Sequence, residues 1–514
     1  MSPRKQYAFR PTITELERRE VPSVSAITAS AGILTVKVNN ATSSVLVSQT
    51  PTTIQIKDST TNHVWSYNPK SYSEIVVVAG SGADTFTAKA TNPATAKLVE
   101  FIGGKGADNF VGQSGTVSMQ AGSGNDTLVA QSGNDTLIGG SGTDSLKGGS
   151  GDCLIEAGSG NDYLNGGTGT STLVGGIGND TIVAMNGLAS DTVQVGLGFA
   201  VIWEDSINGL TDTIIGNTTG DVVQEVSGFA NSGATNVLNG GTFKEPALLT
   251  NNSYETFSGR PLFASGGPTV QDVNQLITNP FFGPSTTLLT DSWLLSALGA
   301  IAQQDPQAIE NNVVDFGDGT YGVDLNGNYF RVDSELPVNI SGEAFSGYAS
   351  AGQDNSMWVP IVEKAFAYYA SPPTAPTYRN LQQAQGGTAP VVYQAFGATD
   401  FGSVPLGGPG SFASAQALGS TIVSLYDSGY SLSVDLTGLL TSGTNYNNGQ
   451  LVLLSGPREY TVIGIQTDVY GNLTDVILRD PSGNIPQGVD VTLTNLYTIV
   501  GAAFSNGYLD YGND

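Results

Sequence analysis

The stretch from Gly103 to Val183 reads GGKGADNFV, GQSGTVSMQ, AGSGNDTLV, AQSGNDTLI, GGSGTDSLK, GGSGDCLIE, AGSGNDYLN, GGTGTSTLV and GGIGNDTIV, nine consecutive blocks of equal length. The fourth position is Gly in every block. The eighth is always apolar: Phe110, Met119, Leu128, Leu137, Leu146, Ile155, Leu164, Leu173 and Ile182. A flexible linker shows glycine without a phased apolar column, so the column argues for a folded repeat in which every block buries one side chain. Glycine at a fixed place permits a turn with φ > 0, and a carboxylate beside that turn supplies a hard oxygen.

The blocks resemble the RTX nonapeptide pattern G-G-x-G-x-D-x-U-x, which forms an all-β, calcium-bound parallel β-roll or solenoid. The resemblance implies calcium as the ligand. It also favours a secreted or cell-surface setting, because cytosolic calcium is too low for weak oxygen sites. Phase sharpens the expectation. If one coil uses two blocks, side chains at the same position of alternate blocks stack on one edge. That edge carries Asp108, Asp126, Asp144, Asp162 and Asp180, whereas the other carries Val117, Asp135, Cys153 and Ser171. One calcium ladder and a metal-poor opposite edge follow, with folding coupled to the metal because stacked carboxylates repel. Cys153 stands in an Asp slot and reads as a tolerated small residue rather than a reactive thiol.

Working outward, 514 residues are too many for one hydrophobic core. Only 12% are charged, and Asp+Glu outnumber Lys+Arg by 45 to 19, a formal charge of −26. So acidic a chain repels phosphate backbones and anionic lipid, which argues against nucleic acid and membrane surfaces as partners. One cysteine excludes an intrachain disulfide and a thiol-rich metal site, and one histidine, His63, limits imidazole chemistry. There is no run of about 18 apolar residues, hence no expected membrane span.

The N-terminus lacks the apolar core of a secretory signal. Thr14–Arg19 could form a short helix that Pro22 stops, and "LERREVPS" resembles the N-terminal segment of planctomycete surface and secreted proteins. Residues 1–24 are therefore read as a leader or sorting-like segment. Residues 25–102 form a β-rich region ending in the repeat-like "AGSGADTFT", 103–183 the roll, and 184–261 irregular β coils and linker. His63, beside Trp65 and Tyr67, reads as a packed or surface residue.

Composition shifts near residue 262. "LLTDSWLLSALGAIAQQDP" predicts a helix with Trp293, Leu294, Ala297, Leu298 and Ile301 on one face, Asp291 as its capping carboxylate and Pro306 beyond its end. "SMWVPIVEKAFAYYA" predicts a second amphipathic helix with Ile361, Ala365, Phe366 and Tyr369 on its apolar side. After about residue 420 the pattern is mainly β, so residues 262–400 and 401–514 read as the helical and β halves of an α+β domain.

Five ordered segments, "TTLLTDSWLLSAL", "DGTYGVDLNGNYFRVDSELPV", "MWVPIVEKAFAYY", "GPREYTVIGI" and "LRDPSGN", resemble the calpain-type cysteine peptidase core, a papain-like fold. On that resemblance the nucleophile position is Ser292, the base position Arg458, the orienting position Asp480 and the oxyanion-hole position Thr286. Each differs from the family's Cys, His, Asn and Gln. A serine hydroxyl needs a base, and an arginine is always charged. The resemblance thus implies a peptidase shape without its chemistry, with Arg458 and Asp480 expected to form an ion pair and Lys364 expected to pack.

Three functions stay open. One is an extracellular calcium-binding surface protein carrying a catalytically dead calpain-like domain that binds protein or peptide. A second is an active calcium-dependent endopeptidase with Ser292 as nucleophile. The third is a structural solenoid whose C-terminal domain is only a cap or spacer.

Overall fold

The computed structural model describes residues 23–187, 190–207, 210–231, 244–248, 252–264, 266–273, 291–339, 349, 351–352, 355–372, 374–381, 388–405, 412–436, 445–447, 450–452, 458–480, 489–494, 496–497 and 508–513. The leader reading for residues 1–22 and the oxyanion-hole position Thr286 lie outside them. The chain divides into two compact units: Met1–Ile182 with Asp191–Ala200 and Ile214–Thr218, and Val183–Ser190 with Val201–Thr213 and Thr219–Asp514.

The first unit is an all-β parallel solenoid. Successive blocks lie alternately on two sheets, so strand neighbours are two blocks apart. In one sheet Ser118 pairs with Thr136, Thr136 with Leu154 and Leu154 with Thr172. In the other, Asn109 pairs with Thr127, Thr127 with Ser145 and Ser145 with Tyr163. Every step spans two blocks, the coil expected from the sequence. The eighth-position side chains from Phe110 to Ile182 all point between the sheets and are fully buried. Each contributes about 1.5–3 kcal/mol of burial, two per coil.

The same two sheets extend back to Val24 through longer coils, in which Val78 pairs with Ile102 and Lys37 with Val78. The largest coil carries an antiparallel hairpin, Ile54–Asp58 against Val64–Tyr67. Here larger side chains replace leucine: Phe86 and Phe110 stack with ring centroids 5.2 Å apart, and Phe101 tilts against both. His63 is exposed and rests on Trp65 with ring centroids 4.3 Å apart, a surface contact rather than a ligand site.

Fourth-position glycine is obligatory for a second reason beyond its dihedral angle. At Gly142 φ is +132°, and a Cβ there would stand 1.6 Å from the carbonyl oxygen of Gly124, one coil below. The coils therefore approach backbone to backbone at the turns.

The second unit is α+β. Helix α1 (Ser292–Gln304) is followed by α2 (Pro306–Asn312), then a three-stranded antiparallel sheet of Val313–Asp315, Thr320–Asp324 and Tyr329–Asp333. Next come α3 (Trp358–Tyr369), α4 (Ala389–Ala395) and α5 (Ala415–Asp427). A six-stranded antiparallel sheet has the order Asp400–Pro405, Tyr508–Asn513, Ser431–Leu436, Arg458–Thr467, Leu473–Arg479, Val489–Thr492. Leu418 and Ile422 of α5 pack with Leu432, Val434, Tyr460 and Val476 in one core, while α1, α3 and α4 share another.

Two sequence expectations need correction. Asp291 precedes α1 but makes no side-chain cap; its carboxyl is turned to the buried Glu363. Helix α3 is not half-exposed: Trp358 through Tyr368 are all buried. Its polar residues Glu363 and Lys364 therefore need buried partners, which sets much of the chemistry described next.

Candidate functional site

On one edge of the roll the sixth-position carboxylates form a continuous chain. Asp126 Oδ1 accepts the backbone N–H of Asp108 at 2.6 Å, Asp144 that of Asp126 at 2.8 Å, Asp162 that of Asp144 at 2.7 Å and Asp180 that of Asp162 at 3.0 Å. Each is at most 3% exposed. One oxygen of each carboxylate thus locks the coil before it. The other, Oδ2, has no hydrogen-bond partner at Asp126, Asp144 and Asp162. A Cβ on Gly139 would sit 2.5 Å from Asp144 Oδ2, so glycine is what leaves room beside that buried oxygen.

Buried anionic oxygens without donors are costly, and the electrostatics show it. Burial pushes Asp126, Asp144 and Asp162 up to about 6, with the next carboxylate along the ladder adding to the shift. Burial likewise raises Asp108 and Asp180. A divalent cation relieves both burial and repulsion, and stacked carboxylates beside turn carbonyls are the donor set that hard calcium prefers. The donors fit the ion.

The family comparison agrees. The RTX calcium-binding nonapeptide repeat, in four copies, matches residues 120–152 and 156–187. These are RTX calcium-binding repeats. No curated protein matches the chain. The RTX match covers Asp126, Asp135, Asp144, Asp162 and Asp180, while Asp108 lies in the coil before it.

The ladder starts earlier than the repeat count alone indicated. Asp84, from the isolated "AGSGADTFT" block, accepts the N–H of Ser43 at 2.7 Å, and its own N–H donates to Asp108 Oδ1 at 2.8 Å. Its coil is longer than two blocks, which hid it from a fixed phase, although the block's glycines were a usable signal. On the opposite edge Asp135 accepts the N–H of Val117 at 2.8 Å, leaves Oδ2 without a partner and is pushed up to about 6 by burial. Asp191 accepts the N–H of Ser171 at 2.6 Å there, displaced from the nonapeptide phase. Between them Cys153 is 4% exposed with its thiol raised by burial, an inert packing residue. A second, outer ladder uses fifth positions: Asn125, Asn134 and Asn161 each accept the N–H of the equivalent residue one coil on.

In the second unit, Ser292 opens α1 and is 8% exposed. Its Oγ accepts the backbone N–H of Glu459 at 3.5 Å, one residue after Arg458. Ser296, one turn on, donates to the Glu459 carbonyl at 2.6 Å, and Thr461 donates to the Ser296 carbonyl at 2.9 Å. The strand beginning at Arg458 pairs with Leu473–Arg479, whose end is followed by the half-buried Asp480. The chain positions of Ser292 and Arg458 are thereby brought together. The Arg458 side chain, and with it the expected ion pair to Asp480, lies outside the described residues.

Lys364 settles its own role. Its buried ammonium donates to Glu245 at 2.5 Å, to Asp333 Oδ1 at 2.7 Å and to the carbonyl of Glu335 at 2.7 Å. All three donors are used, so it holds no proton-accepting role toward a serine. It also bonds two carboxylates, Glu245 and Asp333, of the group Glu245, Asp333 and Glu335, which would otherwise suit a metal.

Two further acid clusters flank α1. Burial, reinforced by Asp291, holds Glu363 well above the usual carboxylate range. Burial and Asp510 do the same to Glu459, whose carboxyl is bound by the Ser433 hydroxyl. Burial thus favours the neutral form of Glu459, and the Ser433 hydroxyl already engages its carboxyl, so it is poorly suited as a base for Ser292.

Proposed function

We propose that the protein is an extracellular calcium-binding surface protein whose C-terminal unit is a calpain-like pseudopeptidase, a module that holds protein or peptide without cutting it. The observation that carries this reading is the hydroxyl of Ser292 at the head of a buried helix, 3.5 Å from the backbone nitrogen of Glu459, the residue after Arg458. That arrangement favours a papain-like nucleophile position. The chemistry opposes turnover: Arg458 stays charged, burial favours the neutral form of Glu459, whose carboxyl is bonded to Ser433, and Lys364 is fully bonded. Loss of nucleophile and base removes most of a peptidase's rate enhancement. Arg458 and Asp480 are proposed as a charged pair that replaces the family's neutral one.

The RTX-type repeats accord with an extracellular location. No helix among the described residues is long and apolar enough to cross a membrane. The test is a peptidase assay on the full chain with an unfolded protein substrate, with calcium and with chelator, beside Ser292→Ala. No cleavage in either protein is expected; calcium-dependent cleavage that Ser292→Ala abolishes would establish the active-serine alternative.

A further inference from the structure

Beyond the repeats, residues 201–205 and 222–226 lie side by side as parallel strands, with Glu204 in register with Glu225 and Trp203 with Gln224. In-register neighbours on parallel strands project to the same face, about 4.8 Å apart. Two glutamates therefore stand beside each other. Glu204 is 6% exposed, whereas Glu225 is exposed and opens to solvent.

Neither glutamate belongs to an ion pair among the described residues. One Glu204 oxygen accepts the backbone N–H of Asp212. The other, Oε2, is buried and has no hydrogen-bond partner. A carboxylate oxygen that is buried, orphaned and adjacent to a like charge is a vacant acceptor for a positive group. Among the described residues no ion pair supplies one: the Trp203 ring packs edge-to-face on Phe316 and Tyr329, and the Gln224 amide is engaged with Asn311 and Tyr329.

We propose that Glu204 and Glu225 bind a divalent cation of the calcium class, at a site separate from the nonapeptide ladder. Two carboxylates on neighbouring strands, close enough for Glu225 to bear on Glu204, can share an ion with metal–oxygen distances of about 2.4 Å, and water completes the shell on the exposed Glu225 side. Nothing in this site uses a repeat turn or a sixth-position aspartate. A monovalent cation would leave one of the two charges uncompensated, so divalent binding is favoured.

Trp203 precedes Glu204 and makes the site readable by luminescence. The tryptophans are Trp65, Trp203, Trp293 and Trp358, none within the nonapeptide blocks. Terbium(III), a luminescent stand-in for calcium, is titrated into the full chain with excitation through tryptophan, and calcium bound per chain is counted by equilibrium dialysis. Wild-type protein is expected to give sensitised emission that calcium displaces. Glu225→Gln, an exposed substitution that does not disturb packing, is expected to weaken terbium binding about tenfold and to remove one bound calcium. Trp203→Phe is expected to remove the emission while leaving the calcium count unchanged. Unchanged emission and unchanged calcium count in Glu225→Gln would overturn the proposal, as would emission that survives Trp203→Phe.

Discussion

Asp144 Oδ1 accepts the backbone N–H of Asp126 at 2.8 Å, while its Oδ2, buried in the same turn, has no partner. The first oxygen ties the coil to the one before it, and we propose that the second meets a cation. The two roles separate by substitution. Asp144→Asn keeps an acceptor for the N–H but removes the charge, so the chelated protein should melt near wild type while the calcium-induced rise in Tm shrinks. Asp144→Ala removes both and should cost about 1–3 kcal/mol even in chelator, because a buried N–H loses its acceptor. Thermal melts by circular dichroism with and without calcium distinguish them.

Acidity should act in opposite directions on the two forms. Without metal, the native values of Asp126, Asp135, Asp144 and Asp162, about 6, lie above the unfolded value of about 4. Their contribution to stability is complete below about pH 4 and is lost as pH rises through about 6. The chelated roll is therefore expected to be more stable at pH 5 than at pH 7.5. Calcium needs the ionised groups, so its stabilising effect should be largest at pH 7.5 and fade below about pH 6. A Tm surface over pH and calcium reads both trends; equal apo stability at the two pH values would contradict the first.

Gly142 and Gly327 offer a controlled comparison. Both have positive φ, +132° and +75°, but a Cβ on Gly142 would meet the Gly124 carbonyl at 1.6 Å, whereas one on Gly327 meets nothing within 4 Å. Gly327→Ala should cost about 1 kcal/mol from its dihedral angle alone. Gly142→Ala should cost several times more and reduce calcium binding, since the coils on either side must separate. Calcium titration calorimetry alongside denaturant unfolding measures the difference.

Lys364→Ala should leave Glu245 and Asp333 without their shared cation. Removing one partner of a buried pair costs about 3–5 kcal/mol. The loss should appear in the α+β unit, with calcium binding by the roll retained. Hydrogen exchange resolved by segment provides the readout, and loss of protection confined to the nonapeptide blocks would be the contrary result.

Repeated residues made the roll readable in advance. A phased apolar column and invariant glycines state a pitch, and pitch alone stacks Asp126, Asp144 and Asp162. Asp84 and Asp191 escaped because the coils that bring them to the ladders are longer than two blocks, and a fixed period does not follow insertions. In the α+β unit, helices α1 and α3 were visible from their apolar spacing, but the fate of Asp291 was not. A carboxylate before a helix is favoured as a cap; here Glu363, brought in by α3, takes it instead.

The sequence by itself determined the coil, its calcium chemistry and the absence of histidine and cysteine from the α+β unit, because these follow from composition and short-range periodicity. Tertiary structure alone decided which oxygens of the ladder carry hydrogen bonds, that Lys364 is fully bonded, and that Glu204 lies beside Glu225. Those are relations between chain segments of unrelated sequence, fixed by how strands register and what a closed core buries, and no local pattern encodes them.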